Sequence, residues 1–158
     1  MKSFKVLLGT FFGAGLLPVA PGTWGSFFTL PFIWLTMIWF PVYGLPVFVI
    51  IAAALSLWTA PANVEKYGQD PPQFVMDECA GQAVVFLYTS FYVIELSNIA
   101  TLLTGFILFR IFDVLKPLGI DAIQKLDGKF GILADDLLAG VYALICLELL
   151  KFMLTAII

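Results

Sequence analysis

The chain has 158 residues, of which 61% are apolar and 12% charged, and its mean hydropathy is +1.02. A water-soluble domain is typically about half apolar and roughly a quarter charged, so the bilayer is the expected solvent; residues 6–64 carry no charge at all. Eight basic against eleven acidic residues give a net charge of −3 with no dense basic patch, which argues against nucleic acid as a partner. The lack of histidine removes Ser-His-Asp and Cys-His catalysis and His-ligated zinc.

Lys2 and Lys5 open the chain without a signal-type apolar core behind them, so the N-terminus reads as retained. Residues 8–26 hold five glycines and two prolines, too many breakers for a continuous helix, and predict a re-entrant or interfacial loop. Residues 27–40 and 47–61 flank the turn PVYGLP and predict a helical hairpin, each arm shorter than the roughly 20 residues that span a bilayer. A polar connector, residues 63–77, carries Glu65, Lys66, Asp70 and the Pro71-Pro72 pair. A second hairpin is expected from arms at 79–94 and 99–109, with Glu95, Ser97 and Asn98 at its tip. The polar segment 110–136 then leads into a final apolar run, 137–158, broken only by Glu148 and Lys151.

The expected fold is a single all-α domain over residues 1–158. It is a compact helical membrane protein of about five apolar helices, two hairpins and a C-terminal helix, behind a Gly/Pro-rich N-terminal loop. Each hairpin returns the chain to the side it left, so the charged connectors share one side, which the Lys/Arg rule assigns to the cytoplasm. A soluble Phe-rich bundle is the alternative. Cys79 and Cys146 sit in apolar runs without metal-ligand spacing and read as reduced packing residues.

Three polar constellations interrupt this pattern. Asp77-Glu78 and Asp135-Asp136 each stand at the expected start of an apolar helix, and Asp77 and Asp136 both open a D-x-x-A-G pattern ending at Gly81 and Gly140. One acid at a helix start is explained by capping and the macrodipole. A doubled acid adds repulsion that a divalent cation relieves, and clustered carboxylates with a phosphate as further ligand suit Mg²⁺. Gly81 and Gly140 would let the two helices approach closely. The third constellation, FRIFDVLKP, holds the only arginine in the chain. With Arg110 bridged to Asp113, Lys116 stays free, and an arginine and a lysine beside a carboxylate-bound metal make a phosphate site. In PGTWGS, residues 21–26, backbone N–H groups at Gly22 and Thr23 could face that phosphate; an interfacial turn anchored by Trp24 explains the motif equally well. QKLDGKFG, residues 124–131, reads as a solvated turn.

Taken together, GTFFGAGLLPVAPGTWGS, VMDECAGQ, FRIFDVLKPLGI and GILADDLLAG resemble the phosphatidylglycerophosphatase A family over nearly the whole chain, departing at Gly119, where the family often has proline. The resemblance implies a bacterial cytoplasmic-membrane enzyme that uses Mg²⁺ to hydrolyse the phosphomonoester of phosphatidylglycerophosphate to phosphatidylglycerol and phosphate. Asp77, Glu78, Asp135 and Asp136 are the expected metal ligands. Asp77, Glu78, Asp113, Asp136, Arg110 and Lys116 are the expected catalytic set, and Arg110, Lys116, Gly22 and Thr23 the phosphate contacts. No protein partner is inferred.

The residues alone lead to the same class. Histidine nucleophiles are absent, neither cysteine has an arginine six residues on, and D-x-D-x-[TV] does not occur. Metal-activated water remains, with a carboxylate nucleophile outside that motif still open. Two other classes compete. A transport subunit would place ionisable groups along a mid-membrane pathway, and a CDP-alcohol phosphotransferase would carry a longer, more acidic motif.

Overall fold

The structure, a computed structural model, describes residues 1–89, 96–124 and 129–157, and among these it contains helices and no strand. The elements are α1 (Lys2–Gly9), a 3-10 turn (Ala14–Leu16), α2 (Pro21–Trp39), α3 (Gly44–Tyr67), α4 (Met76–Val84), α5 (Leu96–Leu115), α6 (Ile120–Gln124) and α7 (Lys129–Ile157). Among the described residues three segments, Gly44–Tyr67, Asn98–Leu115 and Phe130–Ala156, are long and apolar enough to cross a membrane, and only 22 to 28% of an apolar 18-residue stretch in each is buried inside the protein. Ile50, Ile107 and Leu149 are among the large apolar side chains left exposed. Faces so apolar mark a lipid-facing surface.

Several boundaries differ from the expected ones. PGTWGS is the first turn and a half of α2 and not a loop: Pro21 sits at the first helical positions, where its missing N–H and fixed φ are no handicap. Its glycines are packing devices. A Cβ on Gly22 would lie 1.7 Å from Glu78 Oε1, and one on Gly25 2.7 Å from Val75 Cβ, so α2 approaches α4 only because both positions lack side chains. The first hairpin's arms are longer than expected, since α2 has 19 residues and α3 has 24; α3 passes through Pro61 and ends at Tyr67, followed by Gly68 at φ +101. The connector therefore shrinks to residues 68–75.

The expected arm 79–94 is a nine-residue helix, α4, followed by a turn to Thr89. Residues 90–95, with Glu95 of the hairpin tip, lie outside the described residues, as do 125–128 of the QKLDGKFG turn. α4 is nearly all buried, Asp77, Gly81 and Gln82 included, and packs against α2, α3, α5 and α7. Its backbone also lies close against that of α7. A Cβ on Gly81 would stand 2.5 Å from the Asp136 carbonyl oxygen, and one on Gly140 2.4 Å from the Gly81 carbonyl oxygen. The D-x-x-A-G repeat is thus a crossing of two small residues.

α7 begins at Lys129, so Asp135 and Asp136 lie in its second turn and not at its start. α5 ends at Leu115, and Lys116 is off the helix with φ +46. The following turn holds Gly119 at φ +92, a value proline, fixed near −65°, cannot take. Arg110 and Asp113 remain on α5, whereas Lys116 and Pro117 do not.

Candidate active site

The start of α2, the start of α4, the end of α5 and the first turns of α7 converge on one cavity of about 370 Å³. All nine residues singled out in the sequence line it: Gly22, Thr23, Asp77, Glu78, Arg110, Asp113, Lys116, Asp135 and Asp136. Asp70 joins them from the shortened connector. Six carboxylates face two cations there, a formal excess of four negative charges.

The cations are not free. Arg110 Nη1 is ion-paired with Glu78 Oε2 and lies 2.8 Å from Asp113 Oδ2. Lys116, expected to be unpaired, donates to Asp135 Oδ2 at 2.5 Å, because the left-handed turn at its own position swings it back toward α7. Burial lowers its affinity for the proton, but the Asp135 hydrogen bond and charge outweigh that, so its pKa lies above the ordinary lysine value.

Asp77 and Asp136 are different. Only 5% of Asp77 and 4% of Asp136 is exposed, and neither side chain forms an ion pair among the described residues, although the Lys116 charge acts on Asp136. Asp77 accepts the Glu78 backbone N–H at 3.0 Å, while the Asp136 carboxylate has no hydrogen-bond partner among the described residues. Burial, then the neighbouring Glu78 and Asp135 charges, push Asp77 well above the usual carboxylate range. Glu78 is pushed up to about 7, mainly by burial, with the Arg110 charge pulling the other way. Buried carboxyls with raised pKa values in a cleft mark a functional site.

Ser26 is the residue that sequence reasoning missed. Fully buried on α2, its Oγ lies 2.8 Å from Glu78 Oε2, 3.0 Å from the Gly22 carbonyl oxygen and 3.3 Å from Arg110 Nη1. Its signal was its place four residues after Gly22, on the same face of what is a helix. The Gly22 and Thr23 N–H groups in the first turn of α2, with no side-chain cap and no intrahelical acceptor, belong to residues that line the cavity. Cys79 takes no part in the cavity: its thiol, held above the usual range by burial, accepts from Thr29 Oγ1 at 3.0 Å.

A bundle with membrane-length helices, whose acids and two cations meet in a single cavity, belongs with the membrane-associated phosphatases. The chain belongs to the Phosphatidylglycerophosphatase A family, whose model matches residues 7–151. It is 35% identical to Phosphatidylglycerophosphatase A of Haemophilus influenzae, over 92% of this chain and 88% of that one, and 30% identical to Phosphatidylglycerophosphatase A of Escherichia coli, over 85% and 76%. A Bacteroides thetaiotaomicron protein named as a candidate phosphatidylinositol-3-phosphatase is 32% identical over 94% of both chains. No solved structure matches. The family sets aside the transport and phosphotransferase alternatives; the protein is a phosphatase.

Proposed function

We propose that the protein hydrolyses the terminal phosphomonoester of phosphatidylglycerophosphate to phosphatidylglycerol and inorganic phosphate, with Mg²⁺, at the cytoplasmic face of the bacterial inner membrane. One observation carries the Mg²⁺ reading: Asp77 and Asp136 are buried on touching helices, and neither forms an ion pair with a basic side chain among the described residues. Uncompensated buried carboxylates are costly, and a divalent cation removes that cost. No three carboxylates or thiols among the described residues converge on a single point. The donor set still fits Mg²⁺, which keeps several waters and is held by one or two carboxylates together with substrate phosphate. Asp77 and Asp136, with Asp135 beside them, would hold the ion; Glu78, already committed to Arg110 and Ser26, is the weakest of the four expected ligands.

Bound there, Mg²⁺ would lower the pKa of a water and polarise the phosphoryl oxygens. The chain's own residues supply the rest. Arg110 and Lys116 offset charge on the phosphoryl group, and the Gly22 and Thr23 N–H groups meet its oxygens at the positive end of α2. A water oxygen bonds to phosphorus as the bond to the glycerol oxygen breaks; an ionised cavity carboxylate takes the water's proton, and the leaving alkoxide takes one from solvent. The burial of α4 keeps bulk water from the back of the cavity.

The name of the Bacteroides relative favours a second substrate, a phosphoinositide monoester. Phosphate release from phosphatidylglycerophosphate, phosphatidylinositol 3-phosphate and phosphatidic acid, each with Mg²⁺ or with chelator, decides between them. The reading predicts the highest kcat/KM for phosphatidylglycerophosphate and none with chelator; equal rates with chelator would overturn the metal assignment. With both native cysteines replaced, Lys66→Cys should resist impermeant reagents in intact cells if the cavity faces the cytoplasm.

A further inference from the structure

We propose that Ser26 is a positioning residue for phosphate binding, acting through Arg110 and Glu78; the inference rests on the phosphatase reading and names a further part of the same site. Arg110 Nη1 has three acceptors around it, Glu78 Oε2, Asp113 Oδ2 and Ser26 Oγ. Its Nε is buried without a partner, and no hydrogen bond to Nη2 occurs among the described residues. The guanidinium is therefore pinned at one corner, and Nη2 is the donor left for a phosphate oxygen.

Two of these acceptors are carboxylates, one for each Nη1 proton, and Ser26 Oγ shares one of those protons from a different helix, at 3.3 Å. Its hydroxyl has one proton to donate, to Glu78 Oε2 or to the Gly22 carbonyl, and a lone pair facing Arg110. It thereby ties the α2 backbone to the Glu78–Arg110 pair. Gly22 makes this possible, since its missing Cβ leaves the space that the Glu78 carboxylate occupies. The phosphate donors at the start of α2 and the arginine on α5 are in this way held in one register by a single buried hydroxyl.

Thr29 provides the control. It lies one turn further along α2, equally buried, bonding the Gly25 carbonyl oxygen at 2.8 Å and α4 through Cys79 Sγ, yet it touches neither Glu78 nor Arg110. The experiment measures phosphate release from phosphatidylglycerophosphate by the purified full-length protein with Mg²⁺, together with the inhibition constant for inorganic phosphate and the melting temperature. Wild type, Ser26→Ala, Ser26→Thr and Thr29→Val are compared. Ser26→Ala should raise KM and the phosphate inhibition constant together by roughly five- to tenfold, the scale of one hydrogen bond. Thr29→Val should leave both within about twofold even where it lowers the melting temperature. Ser26→Thr, which keeps the hydroxyl, should recover most of the lost phosphate inhibition. An active wild type whose phosphate inhibition is the same in Ser26→Ala, or moves equally in Ser26→Ala and Thr29→Val, would overturn the positioning role. An inactive wild type would instead overturn the phosphatase reading on which it rests.

Discussion

Two clusters of charged groups at opposite ends of α4 are built oppositely. Beyond α4, Thr89 Oγ1 donates to Glu148 Oε1 at 3.2 Å, and Lys151 Nζ lies 2.7 Å from the same oxygen. One acid, one base and one hydroxyl close on each other with no net charge, and the cluster ties the turn after α4 to α7. At the other end of α4, six carboxylates share a cavity with two cations, and among the described residues neither Asp77 nor Asp136 forms an ion pair. A closed cluster of this kind fastens helices together; an open one, carrying uncompensated charge at a cavity, binds something.

The largest effects should therefore come from the uncompensated acids. Asp77→Asn and Asp136→Asn should each lower kcat by about 10² or more with helical content unchanged, the scale of losing a metal-binding or acid-base group. Asp135→Asn should cost less, since Asp135 is already neutralised by Lys116. Steady-state rates and circular dichroism check both halves of this statement.

Next comes the cationic wall. Arg110→Lys keeps the charge but loses the planar fork, and should weaken inhibition by inorganic phosphate by about 1 to 3 kcal/mol; Lys116→Ala should do so less. If Arg110 served only to bridge Glu78 and Asp113, Arg110→Lys would leave phosphate inhibition unchanged.

A smaller effect is expected where the two helices cross. Gly140→Ala would put a methyl group 2.4 Å from the Gly81 carbonyl oxygen, so α4 and α7 must separate, at about 1 to 3 kcal/mol of stability. Thermal melts should record that loss, and turnover should fall with it because Asp77 and Asp136 move apart.

The pH dependence follows from the raised carboxyl pKa values. Glu78, ordinarily near 4.5, titrates at about 7 in the fold, and Asp77 is raised as well. Folding then favours the protonated acids, so the metal-free protein is most stable below about pH 4.5 and loses stability as pH rises toward about 7. Melting temperatures in chelator should decline across that window, and Mg²⁺ should reverse the decline. The smallest effect belongs to the closed cluster: Glu148→Gln should leave turnover within about twofold, since nothing there is left over to bind.

The sequence was informative where chemistry forces a residue type. Doubled acids, the lone arginine and the following lysine stand out from 61% apolar residues, and all of them meet in the cavity. What it did not disclose was local geometry set by packing. Five glycines in residues 8–26 read as helix breakers, yet Gly22 and Gly25 are the bare face on which α4 rests, so the motif is helical and Ser26 becomes a buried partner of Glu78. The Asp135-Asp136 pair read as a helix start, but α7 extends back to Lys129. Lys116 read as free on a helix face, whereas a left-handed backbone turns it onto Asp135. Each miss came from tertiary contact overriding a local rule, which single-sequence periodicity cannot register.

The central claim is that Asp77 and Asp136 together form a divalent-cation site. It is tested most directly by titrating metal-stripped full-length protein with Mn²⁺ as the probe and following its paramagnetic signal. The account predicts saturable binding in the wild type, displaced by Mg²⁺, abolished in Asp77→Asn and in Asp136→Asn, and kept in Glu148→Gln. Wild-type Mn²⁺ affinity in both aspartate variants would contradict it.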